Sequence, residues 1–462
     1  MHSGARLTGR PVAVTMPAGG FEMIRRFAAY ALVALLFALA PAAAKDAAYP
    51  ALHQAFFRHL GGTDTPGADA DYQFLASLIA KVAQLYVEPV EAGALAEAAR
   101  RGVMAAPEAS SSSDLVDRAL TAMFGSLDPH SSFEPRRTYD ELRARAKAKG
   151  GRLGLEVSIE GGKVRVVTPL DGSPGQRAGL RTGDVIAAVD GTALRGLTLA
   201  QVFDRLRGPA GSRVELTVRR PDGTRRAVEI ERQRIRVPPV RHSIDGRIGV
   251  IRIASFAPRT ERDVRKALVA FEKQLGNAAR GYVIDLRSNP GGLLGQGILV
   301  ADFFLDAGKI VTTRGRDGRQ DQSFKATKGD LARGRPVVVL IDGGSASAAE
   351  VVSGALRDHK RAVLLGRKSY GKGTVQQVVP MGRRGKLRLT MRRYYTPAGT
   401  SIHKHGIVPD VRVGRGLGGA PNGIEESKCP PVGAAQDRPL GCAVALLRAG
   451  GLKPFLEKFG GP

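Results

Sequence analysis

The sequence predicts a multidomain α+β protein: a small helical region, a compact domain of short strands with one helix, and a larger core in which strands and helices alternate. Three observations predict this. At 462 residues the chain has room for about three domains. Hydrophobic residues make up 43% and charged residues 24%, a composition that buries a core rather than staying disordered. The hydrophobic period also changes along the chain, from helical over 71–124 to twofold over 155–230 and then to alternation.

The elements follow in order. Arg25 and Arg26 precede an apolar run at 27–40, and Pro41-Ala42-Ala43-Ala44 then offers a small-residue cleavage site. This pattern is expected of a secretory signal peptide over 1–44, with Met23 as an alternative start and an uncleaved anchor as the other outcome. Residues 45–70, rich in Ala, Gly and Pro, read as a linker. Phe74, Leu75, Leu78, Ile79, Val82 and Leu85 share one helical face, and further helices are expected over 94–104 and 114–124, the last capped by Asp114. This helical region runs over 71–148.

Over 149–236 the pattern becomes twofold. Leu155, Val157 and Ile159 alternate with Glu156 and Ser158, Gly161-Gly162 turns the chain, and 198–206 is a helix. Pro221-Asp222-Gly223 makes a hairpin. Over 240–413, strands at 248–253, 282–286, 337–341, 362–365 and 375–379 alternate with helices, one of them capped by Thr260. This predicts an α/β core with largely parallel pairing. The tail over 414–462 reads as a loop followed by one short helix.

Composition excludes several functions. Two cysteines, Cys429 and Cys442, are too few for a disulfide scaffold or a multi-Cys metal site, and export would permit them to pair without requiring it. The net charge of +27 suggests an anionic partner, but the basic residues are spread through every segment and form no stripe, so no nucleic acid is expected. Gly366 to Gly373 almost spells a P-loop, yet Gly373 stands where Ser or Thr must hold Mg²⁺, and a strand follows instead of a helix. The glycines from Gly414 run into Ala420-Pro421, again without a helix. His403 and His405 on an irregular segment do not make a metal site, so neither metal nor cofactor is expected.

Three segments carry chemistry. A buried strand at 337–341 runs through Gly343-Gly344 into Ser345-Ala346-Ser347 and then a helix. A Ser there sits where free N–H groups and the helix dipole favour developing negative charge, although a capping Ser is the commoner reading of the segment alone. Lys372 lies between Gly371 and Gly373. A Lys buried in apolar surroundings loses its proton and acts as a base, and Ser with neutral Lys is a hydrolytic pair that needs no His, whereas a solvated turn Lys is the plain alternative. Finally, the strand at 282–286 ends in Asn289-Pro290-Gly291-Gly292, whose N–H groups suit half of an oxyanion hole or an ordinary turn.

In chain order these segments resemble the carboxyl-terminal processing peptidases, or tail-specific proteases, of the Ser/Lys type, over about residues 71–413. Ser126-Leu127-Asp128-Pro129-His130-Ser131-Ser132-Phe133 is similar to the family signature. Arg152-Leu153-Gly154-Leu155 with Gly179-Leu180 and Gly183-Asp184 resembles a PDZ domain. The resemblance implies an N-terminal helical region, a PDZ domain over 149–236 and a crotonase-like α/β protease core over 240–413.

It also implies roles. Ser347 matches the nucleophile, Lys372 the general base and Gln376 the residue orienting the Lys. The N–H groups of Ala348 and Gly292 match the oxyanion hole. Ala349-Glu350 and Tyr370 depart from the family's usual Ser-Glu and Phe, and Asp358 matches an acidic position read as structural. In the PDZ region, the N–H groups of Leu153, Gly154 and Leu155 would cradle a C-terminal carboxylate. An apolar last residue would face Leu199, Val202 and Leu206, unless these only build the domain core.

The expected activity is that of an exported, periplasmic or envelope serine endopeptidase acting near apolar, unstructured C-terminal tails. A catalytically silent PDZ scaffold is the alternative, against which Ser347, Lys372 and Gln376 speak. An adaptor protein, peripheral membrane association and oligomerisation stay open.

Overall fold

The computed structural model describes residues 49–460 apart from 63–64, 109, 137–149, 161, 171, 198, 236–237, 317, 319–320, 415, 418–420 and 434–436. The expected signal peptide lies outside the described residues.

The described residues begin with four helices: α1 (Pro50–His59), α2 (Ala68–Leu85), α3 (Ala92–Met104) and α4 (Ser112–Gly125). The first corrects the linker expected over 45–70. Leu52, Phe56 and Phe57 are buried on α1, and Phe56 and Phe57 pack on Tyr72 of α2 with ring centroids 5.9 Å apart. Ten residues give too few helical repeats to stand out from an Ala-rich, Gly-rich background. The cap of α4 is Ser111, not Asp114. Asp114 is the third helical residue and returns the bond, its carboxylate accepting the Ser111 N–H, so the pair forms a capping box. The following strand β1 (Ser132–Pro135) pairs antiparallel with β16 (Gly385–Tyr395) of the large domain.

The middle domain holds β2 (Leu155–Glu160), β3 (Lys163–Pro169), a single turn α5 (Pro174–Arg177), β4 (Val185–Val189), β5 (Thr192–Ala193), α6 (Leu199–Leu206), β6 (Arg213–Arg219) and β7 (Arg225–Glu231). Its antiparallel sheet runs β2-β3-β4-β6-β7, which leaves β2 outermost. Val157, Val166, Ile186, Val202, Leu206 and Leu216 form its core. The hairpin expected at Pro221-Asp222-Gly223 joins β6 to β7 in register.

The large domain adds β8 (Val240–Asp245), β9 (Ile248–Ile253), α7 (Thr260–Leu275), β10 (Gly281–Asp285), α8 (Leu294–Asp302), β11 (Lys309–Arg314), β12 (Gln322–Lys325), β13 (Val337–Ile341), α9 (Ala348–Asp358), β14 (Ala362–Gly366) and β15 (Thr374–Pro380). After β16 come β17 (Val411–Gly414), β18 (Gly423–Glu425), α10 (Arg438–Ala449) and α11 (Leu452–Phe459). The seven-stranded sheet β18-β17-β14-β13-β10-β9-β8 is parallel except at the β8–β9 hairpin. Alternation along each strand separates two faces. One face of β9 offers Ile248 and Val250 to α10 and α11, with Val444, Leu447 and Phe455 in the same cluster. On the other, Gly249 touches Phe271 of α7 so closely that a Cβ would lie 2.5 Å from the ring.

Three expectations need correction here. The tail over 414–462 is not an appendage: β18, α10 and α11 complete the core, with Cys429 and Cys442 disulfide-bonded beneath them. The strand at 374–380 belongs to a separate antiparallel sheet with β1, β16, β11 and β12, because it returns directly as a hairpin into β16. Thr260 is the first residue of α7, whose cap is Arg259 at φ +75°.

Candidate active site

The site lies where β10, β13 and β14 deliver three loops. Strand β13 leads through Asp342 and the two glycines to Ser347, the N-cap of α9, at φ +56° and ψ −115°. A left-handed non-glycine residue costs of order 1–3 kcal/mol and persists only where its surroundings hold it.

The two serines are used differently. Ser345 is fully buried, and its hydroxyl donates to the Leu286 carbonyl at 2.8 Å and accepts the Asp342 N–H at 2.9 Å. Among the described residues the Ser347 hydroxyl donates to no acceptor, and in the capping box with Glu350 it can only receive. The N–H of Glu350 goes instead to the Ser347 carbonyl at 2.9 Å. The proton of the hydroxyl that sequence could have assigned to capping is thus unspent.

Strand β10 leads to Arg287-Ser288-Asn289-Pro290-Gly291-Gly292. Asn289 is fully buried; its amide donates to the Ile253 carbonyl at 2.8 Å and its oxygen accepts the Gly291 N–H at 2.8 Å. The Ala346 N–H donates to the Asn289 carbonyl at 2.9 Å, tying this turn to the Ser347 turn. Gly291, at φ +93°, approaches so closely that a Cβ would stand 2.7 Å from Ser347 Cβ and 2.9 Å from the Ala348 nitrogen. Among the described residues, the N–H groups of Gly292 and Ala348 have no backbone acceptor.

Arg287 anchors the turn's other side. Its guanidinium grips Asp285 at 2.9 and 2.7 Å and Asp437, the cap of α10, at 2.9 and 2.6 Å. Burial pushes the Asp285 carboxyl up, but the charges of Arg287 and Arg252 and the hydrogen bonds from Arg287 overcome it and hold it at about 2.

Lys372 sits in the loop between β14 and β15. The Tyr370 N–H donates to the Ser345 carbonyl at 3.0 Å, so this loop also rests on the serine turn. Burial lowers the Lys372 pKa from its ordinary value; Glu156 opposes this, Arg388 adds to it and Glu350 opposes it weakly. Glu156 comes from β2 of the middle domain, where burial raises its own carboxyl pKa. Ser158, two residues on, shares a hydrogen bond of 3.2 Å with the Tyr370 hydroxyl. One face of β2 therefore packs in its own core through Val157, and the other meets the Lys372 loop.

Gln376 stands beside a register shift in β15. Its amide nitrogen donates to Thr374 Oγ1 at 2.8 Å and Thr390 Oγ1 at 3.3 Å. Thr390 in turn donates its N–H to Ser131 Oγ, whose hydroxyl donates to Asp128 at 2.8 Å. No hydrogen bond joins Gln376 to Lys372 among the described residues.

The expected carboxylate loop has Gly154 at φ +69°, and among the described residues the N–H groups of Leu153 and Gly154 have no backbone acceptor. The apolar positions divide. Leu153, Val202 and Leu206 are buried core residues, since i and i+4 on α6 point the same way into the domain. Leu199 is half-buried at its edge, as are Leu155, Ile159 and Phe203. Asp358 caps a loop, accepting the Ala398 N–H at 2.8 Å.

Sequence reading missed Glu350. It is fully buried and accepts hydrogen bonds from Ser347, Ser369, Gly371 and Lys372. The signal was present: Ser347-Ala348-Ala349-Glu350 has the capping-box spacing at a helix start.

Residues 247–413 match the family described as peptidase family S41, and residues 165–220 match a PDZ domain. Over 302 residues the chain is 44% identical to the carboxy-terminal-processing protease of Bartonella bacilliformis, covering 65% of this chain and 69% of that protein. It is 34% identical over 303 residues to the carboxy-terminal processing protease CtpA of Bacillus subtilis, covering 64% of each. Among solved structures, a photosystem II D1 C-terminal processing protease is similar at TM-score 0.65 and 31% identity, covering 75% of this chain and 94% of that one.

Proposed function

The chain belongs to the carboxy-terminal-processing proteases of peptidase family S41, and from that premise we propose that it is an exported Ser/Lys endopeptidase cutting near apolar C-terminal tails of envelope proteins. It is a serine peptidase by family. The observation that carries the residue assignment is the contrast between the serines: Ser345 has spent its hydroxyl on Leu286 and Asp342, and Ser347 has not.

In this reading, neutral Lys372 takes the Ser347 proton as the oxygen attacks a peptide carbonyl. The tetrahedral oxyanion is held by the N–H groups of Gly292 and Ala348, each worth about 3 kcal/mol in acyl-transfer sites. Lys372 then protonates the leaving amine, and water, deprotonated by the same Lys, releases the acyl group. Gln376, bonded to Thr374 two residues after Lys372, would steady the start of β15 where the Lys372 loop ends. The disulfide between Cys429 and Cys442 supports export, because such bonds persist in oxidising compartments.

A substrate tail would add its backbone beside β2 and place its carboxylate on the N–H groups of Leu153, Gly154 and Leu155. Its last side chain would meet Leu199 and the half-buried Leu155 and Phe203, above the Val202 and Leu206 core. Ser347→Ala and Lys372→Ala should each abolish cleavage of casein and of a tail peptide with the fold intact. Amidating the tail should slow its cleavage much more than that of casein. Equal cleavage of amidated and free-acid tails would place recognition elsewhere, and an active Ser347→Ala would end the nucleophile assignment.

A further inference from the structure

The Ser347 and Lys372 loops come from different strands, and one side chain joins them. Glu350 Oε2 accepts the Ser347 N–H at 2.8 Å and the Lys372 N–H at 2.9 Å. Its Oε1 accepts the Ser369 hydroxyl at 2.6 Å and the Gly371 N–H at 2.6 Å. The Ser369 oxygen also accepts the Ile407 N–H at 2.6 Å.

We propose that Glu350 is a positioning residue for the peptidase reaction: as a carboxylate it holds the main chain of Ser347 and of Lys372 on one oxygen atom, and so sets the distance across which the proton moves. The inference rests on the Ser347–Lys372 reading.

All four partners are donors. A carboxylate accepts them all, whereas the hydrogen of a carboxylic acid either displaces an N–H or forces the Ser369 hydroxyl to reverse. The four bonds also explain how Ser347 is kept at a positive φ. Burial pushes the Glu350 carboxyl up to about 7, against the pull of these hydrogen bonds. Lys372 feels the Glu350 charge and itself faces Glu156 from β2 and Arg388 from β16. The carboxylate that assembles the site therefore changes charge close to neutral pH. It loosens on the acid side, because the protonated form must give up or reverse one of the four bonds and is a weaker acceptor for the rest.

The test uses the full chain. Glu350→Gln preserves size, but its single acceptor oxygen serves one donor pair and its NH₂ confronts the other. It should lower kcat by about 10²-fold, as misplacement of reacting groups by an ångström does, with KM nearly unchanged. It should also remove the limb of kcat/KM that rises near pH 7 in the parent. Ser369→Ala removes one donor and keeps the carboxylate. It should lower kcat less and move that limb to higher pH, since the ionised form loses a stabilising bond. If Glu350→Gln melts well below the parent, Ser369→Ala decides the matter. A folded Glu350→Gln with parental kcat, a loss confined to KM, or a limb that Ser369→Ala does not move overturns the proposal. Such a result beside inactive Ser347→Ala and Lys372→Ala would leave the Ser/Lys reading standing; activity in either of those would remove both.

Discussion

Asp285→Asn tests how the Asn289–Gly292 turn is held. Asp285 ends β10, is 4% exposed, and receives Arg287 through two side-chain bonds and one backbone bond, with Arg252 Nη1 3.3 Å away. Its carboxyl stands at about 2 instead of 3.8. At about 1.4 kcal/mol per pH unit, the ionised form is worth about 2–3 kcal/mol to the fold at neutral pH. The folded pKa lies below the unfolded one, so this contribution is complete above about pH 4 and is lost as pH falls towards 2. Asn removes the charge and leaves the Arg287 guanidinium with Asp437 alone. In urea unfolding at pH 7, Asp285→Asn should cost about 2–3 kcal/mol, and the gap to the parent should narrow when both are measured at pH 2.5. A cost below about 0.5 kcal/mol at pH 7, or a gap independent of pH, would refute the view that the ion pair holds this strand end.

Gly291→Ala would set a Cβ 2.7 Å from Ser347 Cβ at φ +93° and should lower kcat on casein by about 10²-fold; a parental kcat would show that the turn does not fix the serine. Ser345→Ala loses the bonds to Leu286 and Asp342, so it should cost about 1–3 kcal/mol in unfolding while keeping much of the activity. An inactive Ser345→Ala beside an active Ser347→Ala would reverse their roles. Because burial lowers the Lys372 pKa, kcat/KM should rise with pH through a midpoint below 10.5. Measured in the Glu350→Gln background, which lacks the Glu350 limb, a limb with the same midpoint in Lys372→Arg would exclude Lys372 as the base.

Much of this was legible in the sequence where one period dominates. The parallel strand at 337–341 is an unbroken apolar run, that at 248–253 is interrupted only by Gly249 and Arg252, and α2, α7 and α9 carry full helical stripes, so periodicity alone finds them. What escaped has weak local signal and strong tertiary support. Helix α1 has ten residues, and β18 has three that matter only because β17 lies beside them. The strand β16 interleaves buried Leu387, Leu389 and Met391 with Arg388 and Thr390, yet its partners run from Pro380, beside Lys386, back to Ser132, beside Arg388. In the site, Ser347 and Lys372 were found as chemical types between small residues. Glu350 was not, because a first-turn Glu on an apolar helix looks like an exposed cap until the Ser369–Lys372 loop closes over it.

The pairing of β1 with β16 bears on where this gene can be cut. Residue 148 looks like a seam between an N-terminal piece and the rest, and a shortened expression fragment would naturally start just beyond it. Such a fragment would leave β16 without its partner over Arg388, Leu387, Lys386 and Gly385, an open edge of the kind that recruits other chains. The detached N-terminal piece would keep its helices but lose the cover over Phe133, which is 4% exposed in the whole chain. The middle domain is in effect a cassette spliced between two parts of one folding unit. A serviceable short form would excise that cassette and keep both flanks, rather than trim from the front.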